Sequence, residues 1–467
     1  MDKEIVLVEP GNKWATEFSV GGIRADPITL GYLSSSLRQD GHNVTIVQQR
    51  GGIDKELIDY IASQNPDIVG ISTMTYNFNK GRAVARGLKE RIPHIQTVFG
   101  GYHVSANPEV LSFPEIDYLV IGEGEATLRE LVDCILYKKT DLENIKGIGY
   151  KKENRVILNP RRERIANLDS LPFPERYGLE DCLWGSPILP IPANQKSFAQ
   201  VTYSRGCYHH CSFCTSSELW QGQVVHRSAS NMVDEIEYLI DKFGTNGLFF
   251  TDLTFNADKQ KAMEFCDEMI RRKVKINWMT ACRVTSDIEL LKRMREGGCI
   301  KIAYGVETLE DERLAELSKG VSSKEIVECF RNTNDLGIIT RAYIMVGYPD
   351  ESEESIRKTK QNVKRLPTDQ LRISIITPFP GTPFQLEMKK KRLIISDNTD
   401  DYDTVTTPII RTKITSEGLL GAVNEIQREF YSDPNYRKRI EAKAKRFPEL
   451  KSAYDDFFCR LKEQEFI

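Results

Sequence analysis

The chain has 467 residues, with 64 lysines and arginines against 67 aspartates and glutamates, so its net charge is -3. This near balance gives no overall attraction to nucleic acid or to an anionic membrane. No apolar run reaches the length of a membrane span, and the amino terminus has no signal-peptide core. The sequence therefore predicts a globular cytoplasmic protein that binds no nucleic acid and has no membrane span.

The first 140 residues alternate between short apolar runs and amphipathic stretches. The apolar runs are rich in β-branched residues and predict strands near 5–8, 44–47, 68–71, 97–99 and 118–121. Helical patterns separate these strands at about 28–39, 54–64, 78–91 and 125–137. This alternation predicts a doubly wound, Rossmann-like α/β domain over residues 1–140, whose ligands bind beyond the carboxyl ends of the strands.

The rest of the chain is predicted to contain a linker, a second α/β domain and a helical region. Residues 141–195 form the linker, because many prolines follow a possible hairpin at 147–158. Over residues 196–383, strand-like runs recur near 199–203, 247–251, 276–280, 300–304, 339–346 and 371–376. Helical stretches lie between them at about 229–243, 258–272, 286–297, 322–336 and 351–365. Six such repeats predict a partial (β/α)6 barrel that is open on one side.

Residues 384–467 no longer alternate and are predicted to be mainly helical and highly charged. Two small basic clusters in this region, at 389–392 and 437–439, are predicted to be solvated helix faces.

Three of the ten cysteines, Cys207, Cys211 and Cys214, are crowded into eight residues after the first predicted barrel strand. Soft thiolates favour an iron–sulfur cluster or zinc. Zinc normally takes a fourth ligand, which His209 or His210 could supply. Three thiols on a loop at the carboxyl end of a strand favour a cubane cluster with one iron open to a substrate. The other cysteines are predicted to be small buried hydrophobic residues.

The pattern C-x3-C-x2-C, with Phe213 before the last cysteine, resembles that of the radical S-adenosylmethionine (SAM) enzymes. The resemblance covers residues 198–380 and implies that Phe213 is a cofactor-binding residue. It also implies that Asp252 lies near the SAM amino group, that Arg283 contacts SAM, and that Glu307 contacts the SAM ribose. Strand-end capping is the alternative for Asp252 and Glu307, and a surface salt bridge is the alternative for Arg283.

The same resemblance implies a [4Fe–4S] cluster on Cys207, Cys211 and Cys214, whose open iron chelates SAM. An electron from a donor such as flavodoxin or ferredoxin then cleaves SAM to a 5′-deoxyadenosyl radical. This radical takes a hydrogen atom from an unreactive carbon of a small-molecule substrate. The cofactors carry the difficult steps while the protein orients them. No catalytic acid or base can be named from the sequence.

Segments of the first 140 residues resemble cobalamin-binding domains. The residues that the resemblance places at the cofactor are Ser72, Thr73, Gly100, Gly101, Gly122, Glu123 and Gly124. Glycines at strand ends let the backbone approach a ligand closely, here the corrin edge and its nucleotide tail. The loop after the first strand lacks the histidine that usually ligates cobalt. This departure fits cobalamin binding without a protein imidazole, and it also fits a domain that has lost its corrinoid. His42 and His103 are predicted to be structural.

Together, the two resemblances imply a class B-like, cobalamin-dependent radical SAM methyltransferase. Its substrate would be an unactivated carbon, or phosphorus, of a small metabolite or natural-product intermediate. The alternative is an enzyme of the same domain order that oxidises, rearranges or cyclises, such as the anaerobic cyclases of tetrapyrrole synthesis. A methylthiotransferase is disfavoured because residues 1–140 contain only Cys134. The SAM-site pattern disfavours a sensor without catalysis. Candidate substrate-lining aromatic residues are Trp184, Trp220, Tyr343 and Tyr402.

Overall fold

The computed structural model describes residues 3–11, 26–49, 54–153, 155–177, 198–463 and 466. The strands of its amino-terminal sheet are β1 (Glu4–Glu9), β2 (Asn43–Gln48), β3 (Ile68–Ser72), β4 (Gln96–Gly100), β5 (Tyr118–Val120), β6 (Ile148–Lys152) and β7 (Arg155–Leu158). They are ordered β2-β1-β3-β4-β5-β6-β7. The first five strands of the chain are mutually parallel, and β6 and β7 extend the sheet as an antiparallel hairpin.

Helices cover both faces of this sheet. They are α1 (Ile28–Gln39), α2 (Asp54–Ser63), α3 (Phe78–Arg91), α4 (Tyr102–Ala106) and α5 (Gly124–Tyr137). Successive side chains of a strand point to opposite faces, so Val6 packs with the α2 and α3 side while Leu7 packs with the α1 and α5 side. The doubly wound prediction is confirmed. The hairpin shows that the sheet continues to Leu158, so the first part of the predicted linker belongs to this sheet.

The second sheet is the partial barrel. Its strands are β8 (Phe198–Val201), β11 (Gly247–Phe250), β12 (Asn277–Cys282), β13 (Cys299–Glu307), β14 (Ile339–Val346) and β15 (Gln370–Ile375), all parallel and ordered β15-β14-β13-β12-β11-β8. A short antiparallel pair, β9 (Ser204–Gly206) and β10 (Val224–His226), follows β8. Because β8 and β15 are the two edges of the sheet, the barrel is open between them, as predicted.

The helices that follow the barrel strands pack on the outer face of the sheet, except the first and shortest of them, which contacts α4 and β9. They are α6 (Ser216–Trp220), α7 (Ala229–Phe243), α8 (Lys259–Arg272), α9 (Ile288–Glu296), α10 (Asp311–Glu316), α11 (Ser323–Asp335) and α12 (Glu353–Arg365). The carboxyl-terminal region adds α13 (Pro383–Lys390), α14 (Ser416–Tyr431), α15 (Pro434–Arg446) and α16 (Lys451–Glu463). Within α14, Tyr431 is anchored to the barrel edge, since its hydroxyl accepts from the backbone N–H of Leu371 and donates to its carbonyl.

A buried charge network joins the two sheets. The Arg176 guanidinium, on the segment between them, donates to Asp26 Oδ2 at 2.6 Å and also pairs with Glu235. These three side chains are at most 1% exposed. Arg227 completes the network by pairing with Glu235 as well. The positions of the two sheets are therefore fixed partly by charged side chains that are buried away from solvent.

Among the described helices, none is long and apolar enough to span a membrane.

Candidate functional site

The cysteine loop follows β9 at the carboxyl end of the barrel strands. Gly206, which precedes Cys207, has a φ of +111°, and a Cβ there would lie 2.0 Å from the Gln223 carbonyl oxygen. Only glycine therefore allows the loop to pass β10. On the far side of the loop, the backbone N–H of Phe384, in α13, donates to the Ser212 carbonyl at 2.9 Å. The loop that carries the cysteines is thus held at both ends.

The donor set of this loop has the chemistry of an iron–sulfur site. Cys211 is buried, Cys207 and Cys214 are half-buried, and no disulfide joins any described cysteine. Burial raises the pKa of the Cys214 thiol, and the neighbouring Cys207 and Cys211 thiols raise it further. Such soft thiol donors fit an iron–sulfur cluster. No three His, Cys, Asp or Glu side chains of the described residues are placed to share a single metal ion.

The isolated cysteines follow the prediction with one exception. The buried ones are Cys134, Cys266, Cys282, Cys299 and Cys329. Cys459 is exposed, so its predicted burial is wrong; it lies on α16, which covers the barrel with another part of its surface. Cys182 lies outside the described residues.

Asp252, which was predicted to lie near SAM, is engaged by the loop itself. Its carboxylate accepts from the backbone N–H groups of Tyr203 and Ser204, at 3.1 and 2.6 Å, and from the Ser204 hydroxyl at 2.5 Å. Burial raises the pKa of Asp252 to about 6, and these hydrogen bonds partly oppose the shift. Asp252 therefore anchors the chain that leads into the cysteine loop. Its contact with SAM stays a prediction.

Glu307 lies at the end of β13 in an unusual backbone conformation. Its φ is +66°, in the left-handed region that side chains other than glycine seldom occupy. Its carboxylate pairs with the Lys319 ammonium at 3.1 Å, and both side chains are nearly buried. A Cβ on Gly305 would lie 2.7 Å from Glu307 Oε1, so glycine makes room for the carboxylate. Strained residues of this kind concentrate at functional sites.

Two cations face the cysteine loop from the barrel. Burial lowers the pKa of His209, which lies between Cys207 and Cys211, to about 4, and the nearby Arg283 and Lys319 lower it further. Arg283 is held through its backbone, since its N–H donates to Asn256 at 2.9 Å and its carbonyl accepts from Asn256 at 3.0 Å. Within the described part of the chain, the Arg283 guanidinium has no carboxylate partner, so the alternative of a surface salt bridge is not realised there.

Phe213 is partly buried and packs against apolar side chains. It contacts an apolar cluster that includes Tyr348, Ile376 and Phe384. The side chain therefore ties the cysteine loop to this apolar cluster, and its predicted contact with a cofactor stays a prediction.

A cavity of about 560 Å³ lies between the carboxyl ends of the first sheet and the barrel. The predicted cobalamin residues that line it are Ser72, Gly100, Gly101, Gly122, Glu123 and Gly124. Thr73 does not line it but lies directly beneath Gly101. With φ at +97°, a Cβ on Gly101 would be 2.4 Å from the Thr73 carbonyl oxygen. The barrel side of the cavity is lined by Gln200, Thr202, Ser204, Arg205, Gly206, Thr251 and Leu253.

Glu123 and its neighbours connect the two cofactor regions. Its carboxylate pairs with Arg205 at 3.2 Å and with Arg164 at 3.4 Å, and it accepts from the Ile165 N–H at 2.9 Å. Arg205 also pairs with Glu125 at 2.7 Å and lies two residues before Cys207. The Glu123 carboxylate is thus occupied by the protein, and the residue bridges the first sheet to the cysteine loop. Its predicted contact with cobalamin stays a prediction.

The candidate aromatic residues lie in different places. Trp220 lines the cavity, and its indole N–H donates to the Tyr102 hydroxyl at 3.1 Å. Tyr343 is half-buried within β14, and Tyr402 is buried against Phe379 on the carboxyl-terminal side. Trp184 lies outside the described residues.

The two histidines of the first domain have structural surroundings. His103 Nδ1 is 3.2 Å from the Thr75 hydroxyl, its ring lies 4.2 Å from that of Phe78, and burial lowers its pKa to about 4. His42 stacks on Tyr137. Neither histidine lines the cavity. The loop after β1, where the cobalt-ligating histidine is missing from the sequence, lies largely outside the described residues.

Two residues of the site were not predicted from the sequence. Lys319 follows α10 without any local motif, and it is recognised only by its ion pair with Glu307. Tyr102 follows the Gly100–Gly101 pair directly, a position that could have marked it as a cavity residue.

The fold and the site thus define a radical SAM barrel joined to a cobalamin-type nucleotide-binding sheet. The B12 binding domain family matches residues 20–132, and the Radical SAM superfamily matches residues 201–363. An uncharacterised methyltransferase of Pyrococcus horikoshii is 31% identical over 444 residues, which cover 92% of this chain and 93% of that protein. The anaerobic magnesium-protoporphyrin IX monomethyl ester cyclase of Rubrivivax gelatinosus is 28% identical and covers 93% and 80% of the two chains.

The solved structure of the cobalamin-dependent SAM radical enzyme OxsB, with aqua-cobalamin and SAM bound, shares this fold. Its TM-score is 0.72 at 19% identity, over 97% of this chain and 72% of OxsB. The chain therefore belongs to the cobalamin-dependent radical SAM methyltransferase family. It is an enzyme whose cofactors are a [4Fe–4S] cluster, SAM and cobalamin.

Proposed function

We propose that this enzyme methylates an unactivated carbon, or a phosphorus atom, of a small molecule held where the cavity meets the barrel mouth. One observation carries the proposal. A single cavity is lined both by glycine-rich strand ends of the first sheet and by Arg205 and Gly206, which directly precede Cys207. Ligands of the two domains would therefore face one another across one space that is partly shielded from water.

Each part of the site has a proposed role. Cys207, Cys211 and Cys214 hold the cluster, while Arg283 neutralises the SAM carboxylate and Glu307 accepts from the SAM ribose. When bound, the cluster and SAM supply a hydrogen-abstracting radical, and cobalamin supplies a methyl group. The left-handed backbone of Glu307 and its pairing with Lys319 orient the carboxylate before any ligand arrives. Preorganisation of this kind removes an ordering cost from binding.

The first sheet is proposed to hold cobalamin mainly through its backbone. A Cβ on Gly100 would have no atom closer than 3.6 Å, and one on Gly122 would have none within 4 Å. Both residues line the cavity, so these open positions are space that a flat macrocycle can occupy. Thr73 supports this surface because its N–H donates to the Gly100 carbonyl at 2.9 Å.

The reaction requires an external reductant, because no residue of the site can supply an electron. We propose that flavodoxin or ferredoxin supplies it, and that the enzyme works in the cytoplasm. The domain order also supports a second candidate, an anaerobic cyclase or oxidase, because the relative named as a cyclase matches 93% of this chain.

Methyl-labelled SAM separates the two candidates. The holoenzyme, reconstituted anaerobically with iron, sulfide and a corrinoid and reduced chemically, would be incubated with SAM that carries a deuterated methyl group. Methyl transfer predicts both 5′-deoxyadenosine and S-adenosylhomocysteine, with the second product dependent on corrinoid. Formation of 5′-deoxyadenosine without S-adenosylhomocysteine would favour the cyclase or oxidase. Cys214→Ala is the matched control and is expected to lose the formation of 5′-deoxyadenosine, because that product depends on the cluster.

A further inference from the structure

Three basic residues lie on one face of the barrel sheet, close to its amino-terminal end. Lys301, Arg341 and Arg372 are each the third residue of their strand, β13, β14 and β15. In the register of the sheet, Ala303 is opposite Arg341, and Tyr343 is opposite Arg372. Because alternate residues of a strand share a face, the three basic side chains project from the same side of these strands.

That side is the interior of the barrel. The residues of the other parity, such as Ile302, Ala342 and Ile373, belong to the large core that the sheet forms with its outer helices. The same face continues onto the neighbouring strands. Lys301 is paired with Met279 on β12, and Met279 is paired with Phe249 on β11. Phe249 is paired in turn with Gln200 on β8. Gln200, Thr202 and Thr251 on this face line the cavity described above. The basic residues thus lie on the same face of the sheet as these cavity-lining residues, and they do not themselves line the cavity.

Among the described residues, these three basic side chains have few hydrogen-bond acceptors. Lys301 is fully buried, and its ammonium donates to Gln370 Oε1 at 2.5 Å. Arg341 Nε donates to the same oxygen at 3.1 Å. Across the described ranges, no carboxylate lies within ion-pair distance of Lys301, Arg341 or Arg372. Asp369, next to Gln370 in the chain, is already engaged by Lys443 at 2.6 Å.

The electrostatics of this group are unfavourable without a ligand. Burial and Arg341 lower the pKa of Lys301, with Asp369 partly opposing the shift, and burial and Arg341 also lower the pKa of Arg372. Buried like charges are costly unless an opposite charge compensates them. Beside Lys301 on the same face of the sheet, Phe198, Phe249 and Met279 pack together as an apolar surface. The inner surface therefore presents a cationic side and an apolar side.

We propose that Lys301, Arg341 and Arg372 form the binding site for an anionic group of the substrate, a carboxylate or a phosphate-type oxyanion. The substrate would be an acid with an apolar body, anchored near the amino-terminal end of the barrel while its other end extends toward the cysteine loop and the cavity. This inference rests on the proposed function for its placement of the reacting end. Arginine guanidinium groups match oxyanions with paired hydrogen bonds, which suits this role.

The test uses the anaerobic holoenzyme and two simple probes, inorganic phosphate and succinate, measured by calorimetric titration. We expect saturable binding of at least one probe at one site per chain, and the preferred probe tells a phosphate-type group from a carboxylate. Lys301→Met, Arg341→Gln and Arg372→Gln should each weaken it roughly 10- to 100-fold, the range of a lost charged hydrogen bond. Arg437→Gln is the control, because Arg437 makes an exposed pair with Glu441, and it should bind as the wild type does.

Thermal unfolding of the same proteins separates a ligand site from a structural one. Lys301→Met replaces a fully buried amine that has no ion-pair partner among the described residues by an apolar side chain, so its melting temperature should equal or exceed that of the wild type. A lower melting temperature with unchanged probe binding would overturn the proposal. So would the absence of saturable binding, or variants that weaken SAM binding as much as probe binding, because the cations would then serve SAM. SAM cleavage is measured in parallel: its absence would reject the proposed function, whereas its presence without probe binding would reject only this inference.

Discussion

The strand ends of the first sheet and the mouth of the barrel present different kinds of groups to their ligands. At the first sheet, Gly100, Gly101 and Gly122 expose backbone to the cavity at the strand ends, between apolar and aromatic side chains such as Leu33 and Tyr32. At the barrel, charged and sulfur-bearing side chains dominate, among them the three loop cysteines, Arg283 and the Glu307–Lys319 pair. One edge offers a surface of a certain shape, and the other offers specific chemical groups.

This difference has consequences for how each edge tolerates change. A backbone surface is damaged by adding atoms, since any Cβ takes space from the ligand. A site made of functional groups is damaged by removing them. The loss of one buried partner leaves the other unsatisfied. The two kinds of substitution should therefore separate cobalamin binding from cluster and SAM binding in the same protein.

The largest effect is expected from the cysteines. Replacing Cys207, Cys211 and Cys214 together by Ala should abolish iron binding and the formation of 5′-deoxyadenosine, because the thiol ligands are gone. Cys459→Ala is the matched control, since that cysteine is exposed on α16. Iron analysis and chromatography of the nucleoside products measure both effects. A triple variant that still formed 5′-deoxyadenosine would contradict the assignment of the cluster.

The buried charge network around Arg176, which joins the two sheets, should be nearly as sensitive to substitution. Arg176→Met leaves the carboxylates of Asp26 and Glu235 buried without this partner, so the free energy of unfolding should fall by about 3–5 kcal/mol. The exposed pair of Arg446 with Asp335 provides the control, because Arg446→Gln should change stability by less than about 0.5 kcal/mol. Urea unfolding compares the two variants. Equal, small losses would mean that the network does not hold the sheets together.

At the barrel mouth, Glu307→Gln should weaken SAM binding roughly 10- to 100-fold while leaving the iron content unchanged, as expected for one lost charged hydrogen bond. The control is Glu316→Gln, whose carboxylate makes an exposed pair with Arg313 on α10. Equilibrium binding of SAM to the anaerobic protein gives the ratio. A loss of iron that accompanies the loss of SAM binding would instead indicate that Glu307 mainly supports the fold.

The smallest effect is expected at the glycine edge. Gly100→Ala places one methyl group in the cavity with no clash in the protein, since the nearest atom to the new Cβ is 3.6 Å away. Cobalamin affinity should fall by about tenfold, close to 1.4 kcal/mol, with iron and SAM binding unchanged. Gly421→Ala, in α14 with nothing within 4 Å, is the matched control. Unchanged cobalamin affinity in Gly100→Ala would remove Gly100 from the corrin surface.

The sequence predicted the elements of the fold well and the roles of the side chains less well. Strand positions in both sheets agree within three residues, because their β-branched apolar runs correspond to strands buried on both faces. The hairpin at 148–158 was expected inside a linker, since two antiparallel strands at a sheet edge give no signal of which sheet they join. The hydrogen bonds of Asp252 with Tyr203 and Ser204 could not be predicted, because the direction of a strand-end carboxylate depends on its neighbours in the fold.

Contacts between side chains of different elements could not be predicted from the sequence either, because they depend on how the elements pack. Lys319 and Glu307 are twelve residues apart and meet only because α10 turns the chain back over the end of β13. The cations Lys301, Arg341 and Arg372 stand out in apolar strands, yet only the register of the sheet brings them onto one face.

The central claim is that one chain holds both an iron–sulfur cluster and a corrinoid across a shared cavity. Its most direct test is the metal content of the protein produced anaerobically with corrinoid supplied, with iron and cobalt quantified per chain. About four irons and about one cobalt are predicted. About four irons without cobalt would contradict the claim, because the first sheet would then carry no corrinoid.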